Sequence, residues 1–100
     1  MAYTYIWEYR VGAEDQAVFE AGYGPEGEWA RLFRRGAGYF RTELLKDRAD
    51  PTRYVTIDHW ESFEAFTAFR REFSIEFEAL DRRFERLTAE ESKLGEFDAL

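Results

Sequence analysis

One hundred residues with 45% hydrophobic and 19% aromatic content and no cysteine read as a single domain, residues 1–100, held by a core and not by disulfides. A formal net charge of −7 opposes binding to nucleic acid. No apolar run reaches the ~20 residues that a membrane span needs, and the opening Met1–Glu8 lacks the basic-then-apolar order of a signal peptide, so the expected setting is a reducing cytoplasm.

In chain order, Tyr3 to Val11 alternates Tyr3, Tyr5, Trp7, Tyr9 and Val11 against Thr4, Ile6, Glu8 and Arg10, the period of a strand. Gly12 to Asp15 turns into a helix carrying Val18, Phe19 and Ala21, which Gly22 and Gly24 are expected to stop. After a turn at Pro25–Gly27, a second helical piece from Glu28 to Arg35 buries Trp29, Leu32 and Phe33. Tyr39 to Asp47 is the next strand, and Arg48–Thr52 loops into another from Arg53 to Trp60. Ser62 then caps a helical region in which Phe63, Phe66, Phe69, Phe73, Phe77, Leu80, Phe84 and Leu87 recur every three or four residues on one stripe. Ser74 is a candidate kink. Glu91 to Leu100 forms the final strand.

The order β-α-α-β-β-α-β is the split βαβ, or ferredoxin-like, α+β arrangement, with a four-stranded antiparallel sheet and helices on one face. Strands apolar on both faces need a second cover, and another copy of the same chain would supply it. A homodimer joined through its sheets is the expectation.

The Gly38-Tyr39 pair opening the second strand, and Ile57-Asp58-His59-Trp60-Glu61-Ser62 leading into Phe63-Glu64-Ala65-Phe66, resemble antibiotic biosynthesis monooxygenase domains of the dimeric α+β barrel superfamily. The resemblance covers nearly the whole chain. It implies a ligand cleft between helices and sheet, and a cofactor-independent monooxygenase acting on aromatic or polyketide-like small molecules. The superfamily also contains haem degraders, isomerases and proteins without a known activity. Quinone-forming and haem-degrading members use an asparagine, and this chain has none. Tyr9 falls near the place of the first-strand asparagine, Phe69 near the haem degraders' helix tryptophan, and Ala79 near their ligating histidine. Haem-dependent roles therefore do not carry over, and a quinone-forming reaction here needs substitute residues.

Two residues are candidates for proton transfer. His59, the only histidine, titrates near neutrality when unperturbed. Alternation is read as turning it toward the helices with Val55 and Ile57; the competing reading is a strand-end histidine bonded to a neighbouring carboxylate such as Glu61. Tyr9 is the second candidate. Tyr5, Trp7, Trp29, Phe33, Phe69 and Phe73 are the candidate ligand-binding residues, a small aromatic or hydrophobic molecule being the expected partner. The competing reading is that the tyrosine–tryptophan row is core with satisfied hydroxyls and that Trp29 and Phe33 cap that core. Asp58 shares its strand face with Tyr54, Thr56 and Trp60, a face expected to point into a dimer interior. One histidine and no cysteine leave no ligand set for a metal, and no cofactor is expected. A non-catalytic protein that binds a hydrophobic ligand, or an accessory dimeric barrel, is the alternative.

Overall fold

The computed structural model describes all 100 residues. Four strands, β1 (Tyr3–Arg10), β2 (Tyr39–Lys46), β3 (Arg53–Trp60) and β4 (Glu90–Asp98), form one antiparallel sheet in the order β2-β3-β1-β4. Helices α1 (Gln16–Tyr23) and α2 (Glu28–Phe33) connect β1 to β2, and α3 (Phe63–Glu72) and α4 (Ser74–Phe84) connect β3 to β4. The two crossovers lie on one face of the sheet, and the architecture is the ferredoxin-like α+β fold.

Local chemistry accounts for the element boundaries. Ser62, in extended backbone, accepts a hydrogen bond from the Ala65 N–H and so satisfies an orphan donor at the start of α3. The phenylalanine stripe is broken at Phe73, whose φ of −109° and ψ of 29° leave the helical region; α4 restarts at Ser74, next to the expected kink. Gly38 sits at a φ of +88°, where an L side chain is strained, and a Cβ there would come within 2.8 Å of the Ala65 Cβ. Only glycine admits this turn into β2 against α3. Gly22, expected to end α1, lies inside it: a Cβ there would be 2.8 Å from the Phe84 ring, so the missing side chain serves close packing of α1 on α4.

The core lies between sheet and helices. Trp60, Phe19 and Val11 are fully buried, and Tyr54 and Phe69 nearly so. Trp60 packs edge-on against Phe33, Tyr39 and Phe66 at centroid distances of 5.8, 5.3 and 5.5 Å, while Phe19 stacks on Tyr23 at 4.2 Å. Such pairs contribute roughly 0.5–1.5 kcal/mol each beyond the area they bury.

The pairing register corrects the facing of β3. Tyr3 lies opposite Trp60, Tyr5 opposite Asp58, Trp7 opposite Thr56 and Tyr9 opposite Tyr54. Directly opposed residues in an antiparallel pair share a face. Tyr54, Thr56, Asp58 and Trp60 therefore join the aromatic row of β1 beneath the helices, whereas Val55, Ile57 and His59 lie on the open face. Alternation within β3 distinguishes its two faces without saying which is covered, and a choice of the wrong one inverts every residue. A bulge between Tyr39 and Arg41 also turns Phe40 out of step, leaving it 55% exposed, while Thr42 and Leu44 face inward.

Candidate functional site

A cavity of about 390 Å³ lies between the sheet and the helices, within the range usual for small-molecule sites. β1 supplies its floor with Tyr5, Trp7 and Tyr9, and β2 and β3 add Thr42, Thr56 and Asp58. The helices close it with Tyr23, Trp29, Phe33, Phe66 and Phe77. Charged side chains also line it, namely Arg70, Asp81, Glu91 and Lys93. The Arg70 guanidinium lies 3.7 Å from the centroid of the Phe77 ring, a cation–π contact.

Of the residues expected to bind a ligand, Tyr5, Trp7, Trp29 and Phe33 line the cavity together with Tyr9. Phe69 and Phe73 do not. Phe69 is 1% exposed and packs on Trp60 and Phe33, so it supports the wall from behind, and Phe73 lies beside it. Phe66 and Phe77, from the same stripe, line the cavity in their place. The three-four spacing groups all these rings on one side of the helical region, but only the kink after Glu72 and the tilt of the helices decide which ones border the gap.

His59 is not in the cavity. It lies on the open face of the sheet, where Nδ1 is 3.0 Å from the Thr4 hydroxyl and Nε2 is 2.6 Å from Glu43 Oε2. The expected turn toward the helices is thus corrected by the β1–β3 register. The partner carboxylate comes from β2, because Arg41 and not Glu43 is the direct neighbour of His59 in the ladder and the histidine reaches diagonally.

Asp58 occupies the position that His59 was expected to hold. Its carboxyl is buried in the cavity wall, and desolvation raises its pKa from the ordinary carboxylate value to about 7. Hydrogen bonds from the Thr42 and Tyr5 hydroxyls act in the opposite direction without cancelling the shift. The contacts continue outward: the Tyr39 hydroxyl is 2.7 Å from that of Thr42, and the Trp60 indole N–H donates to the Tyr5 hydroxyl at 3.3 Å. No cation lies among these groups, so nothing holds the carboxyl ionised by charge. At neutral pH such a group exchanges a proton readily in either direction. Tyr9 is also in the wall and accepts a long 3.5 Å hydrogen bond from Thr56; burial pushes its phenol well above the ordinary value, so it stays neutral, able to donate a hydrogen bond but not to act as a base. No cluster of three or more His, Asp or Glu side chains is arranged to hold a metal ion.

The class is that of small ferredoxin-like α+β domains with an aromatic cavity between sheet and helices. The sequence profile of the antibiotic biosynthesis monooxygenase family matches residues 6–75, and the chain belongs to that family. Among solved structures it is similar to a single-site variant of SnoaB, a cofactor-independent oxygenase from Streptomyces nogalater, with 25% identity, a TM-score of 0.74 and coverage of 98% of this chain and 92% of that one. Two structures described as putative antibiotic biosynthesis monooxygenases share the fold. The one from Bordetella bronchiseptica has 22% identity and a TM-score of 0.74, covering 99% of this chain and 97% of that one. The one from Deinococcus radiodurans has 14% identity and a TM-score of 0.75, covering 99% and 92%. A comparison with curated proteins finds no significant match.

Proposed function

We propose that the protein is a cofactor-independent monooxygenase that oxidises an activated phenol of a flat, fused-ring compound to a quinone, with Asp58 as its proton acceptor. The observation that carries this reading is the Asp58 carboxyl, buried in an aromatic cavity with a pKa near 7. Family membership and the likeness to SnoaB support the reaction class.

The chemistry closes without a further reactant. Asp58 takes the phenolic proton, and the phenolate gives one electron to dioxygen. Superoxide and the aryl radical recombine at a ring carbon, forming a C–O bond, and Asp58 returns its proton to the resulting peroxide anion. Loss of the ring C–H proton to Asp58 then breaks the O–O bond, leaving a carbonyl on carbon and releasing hydroxide, which is neutralised to water. One oxygen atom enters the product and the other leaves as water. The aromatic walls would hold the ring flat and shield the phenolate on that side from solvent, which raises its reactivity.

The test is oxygen uptake by the purified protein with naphthols and dihydroxynaphthalenes, with no added metal or flavin. The reading requires enzyme-dependent uptake and quinone formation that fall by about 10² to 10⁴-fold in Asp58→Asn, the range typical of a general base. Binding of these compounds without uptake would favour the ligand-binding alternative.

The assembly belongs to the same reading. The open sheet face carries Ile6, Leu45, Val55, Ile57 and Phe97, with Leu45 and Phe97 49% and 52% exposed. A second copy packed on that face would cover it, giving a homodimer whose two cavities lie on the outer, helical sides.

A further inference from the structure

Trp29 lies in the cavity wall and is 92% buried, yet its indole N–H has no hydrogen-bond partner. It is the one buried side-chain polar atom in the protein left in that state. Tyr23 packs beside it with ring centroids 6.1 Å apart, and the indole acts on its phenol as a weak donor that offsets part of the rise in pKa caused by burial, but the contact falls outside hydrogen-bond geometry and leaves the N–H free for a better acceptor. A buried donor without an acceptor is unfavourable by roughly 1–3 kcal/mol, and native proteins retain few of them. The other buried tryptophan makes the contrast: the Trp60 N–H is satisfied by the Tyr5 hydroxyl, on the Asp58 side of the cavity.

We propose that Trp29 is a specificity-determining residue whose N–H donates to an acceptor oxygen on the bound molecule. It would select ring systems that carry a carbonyl or oxyanion at a position other than the one facing Asp58. The inference rests on the reading of the cavity as a substrate site and adds a second point of polar recognition to it. Asp58 meets a hydroxyl that loses its proton, and Trp29 meets an oxygen that gains electron density as the ring is deprotonated and oxidised. A donor already in place for that charge strengthens as the charge develops. An indole N–H is a neutral donor that cannot accept, so it favours a carbonyl or oxyanion over an amine or a second hydrogen-bond donor. The rings packed against Trp29 are those of Tyr23, Phe33 and Phe77, with the Arg70 guanidinium over the Phe77 ring. The indole is thus the polar contact contributed by α2.

Fluorenone and fluorene have the same ring frame and differ in one carbonyl oxygen, which makes them a matched probe pair. Calorimetric titration of wild type and Trp29→Phe with each compound isolates the interaction. The expected result is that wild type binds fluorenone roughly five- to tenfold more tightly than fluorene, and that this ratio falls to about one in the variant, whatever common change in affinity the smaller ring brings to both compounds. Infrared spectra of fluorenone on the wild-type protein supply a measurement independent of any variant's folding: a bound carbonyl accepting the indole N–H absorbs at lower frequency than in an apolar solvent. An unshifted carbonyl band overturns the proposal, as does a fluorenone preference that persists in Trp29→Phe. Failure of both compounds to bind wild type would overturn the cavity reading as well. Binding of both with equal affinity overturns only the role of Trp29.

Discussion

At the scale of single residues, Asp58 is the group on which the proposed chemistry rests, and it also carries a stability cost. Its carboxyl has a pKa near 7 in the folded protein against about 4 for an unperturbed aspartate. Between these values the folded state holds a proton that the unfolded state releases, so stability falls as pH rises from about 4 to about 7 and is level above that. A shift of this size corresponds to about 4 kcal/mol. Several more exposed carboxylates, including Glu20, Asp47, Asp50 and Glu96, are shifted downward and act in the opposite sense below pH 4.5. Asp58→Asn removes the first effect and leaves the second. Denaturant titrations of the two proteins should therefore diverge progressively between pH 4 and 7, with the variant gaining relative to wild type. Parallel curves would show that the carboxyl is not held in its neutral form. Turnover in wild type, by the same assignment, should rise with pH through about 7 and then level off. His59 makes the contrast. It binds Thr4 and Glu43 on the far side of the sheet, so His59→Ala should leave turnover within about threefold of wild type. A loss of 10²-fold or more would restore it as the proton acceptor.

At the scale of elements, the turn into β2 and the start of α3 fix the helical wall against the sheet. Gly38→Ala places a side chain at positive φ and within 2.8 Å of the Ala65 Cβ, so it should destabilise by about 1–3 kcal/mol. Ser62→Ala removes the hydrogen bond to the Ala65 N–H and should lower stability by about 1 kcal/mol, roughly 4–8 °C in Tm for a domain of this size. Calorimetry checks both, and a thermally neutral Gly38→Ala would mean that the turn relaxes. These two positions were legible in the sequence, because a cap serine before a phenylalanine stripe and a glycine before a strand have local causes. The order of elements was legible for the same reason. The inward set of β3 was not. Val55, Ile57 and His59 alternate as regularly as Tyr54, Thr56, Asp58 and Trp60, and only the pairing with β1 says which set lies beneath the helices. The bulge at Phe40 was equally hidden, since nothing in Tyr39–Lys46 marks an extra residue.

At the scale of the whole molecule, the unanswered face is the outer side of the sheet. The homodimer predicts a sedimentation mass of about twice the 11.9 kDa chain at micromolar concentration. Ile57→Glu, on the open face, should shift the protein toward monomer with the fold intact by circular dichroism, whereas Trp60, fully buried under the helices, is a test of the core and not of the interface. A monomeric wild type would remove this assembly. The division between sequence and tertiary structure follows from the range of the forces involved. Strand alternation, helix stripe, cap and turn glycine are set by neighbours a few residues apart, so the sequence by itself determined the ferredoxin-like order and the richness of the site in aromatic rings. Which rings border a gap, which strand face is covered, and whether a carboxylate loses its water depend on residues far apart in the chain meeting in space. That meeting placed Asp58 and not His59 in the cavity wall, and left the Trp29 N–H buried without a partner.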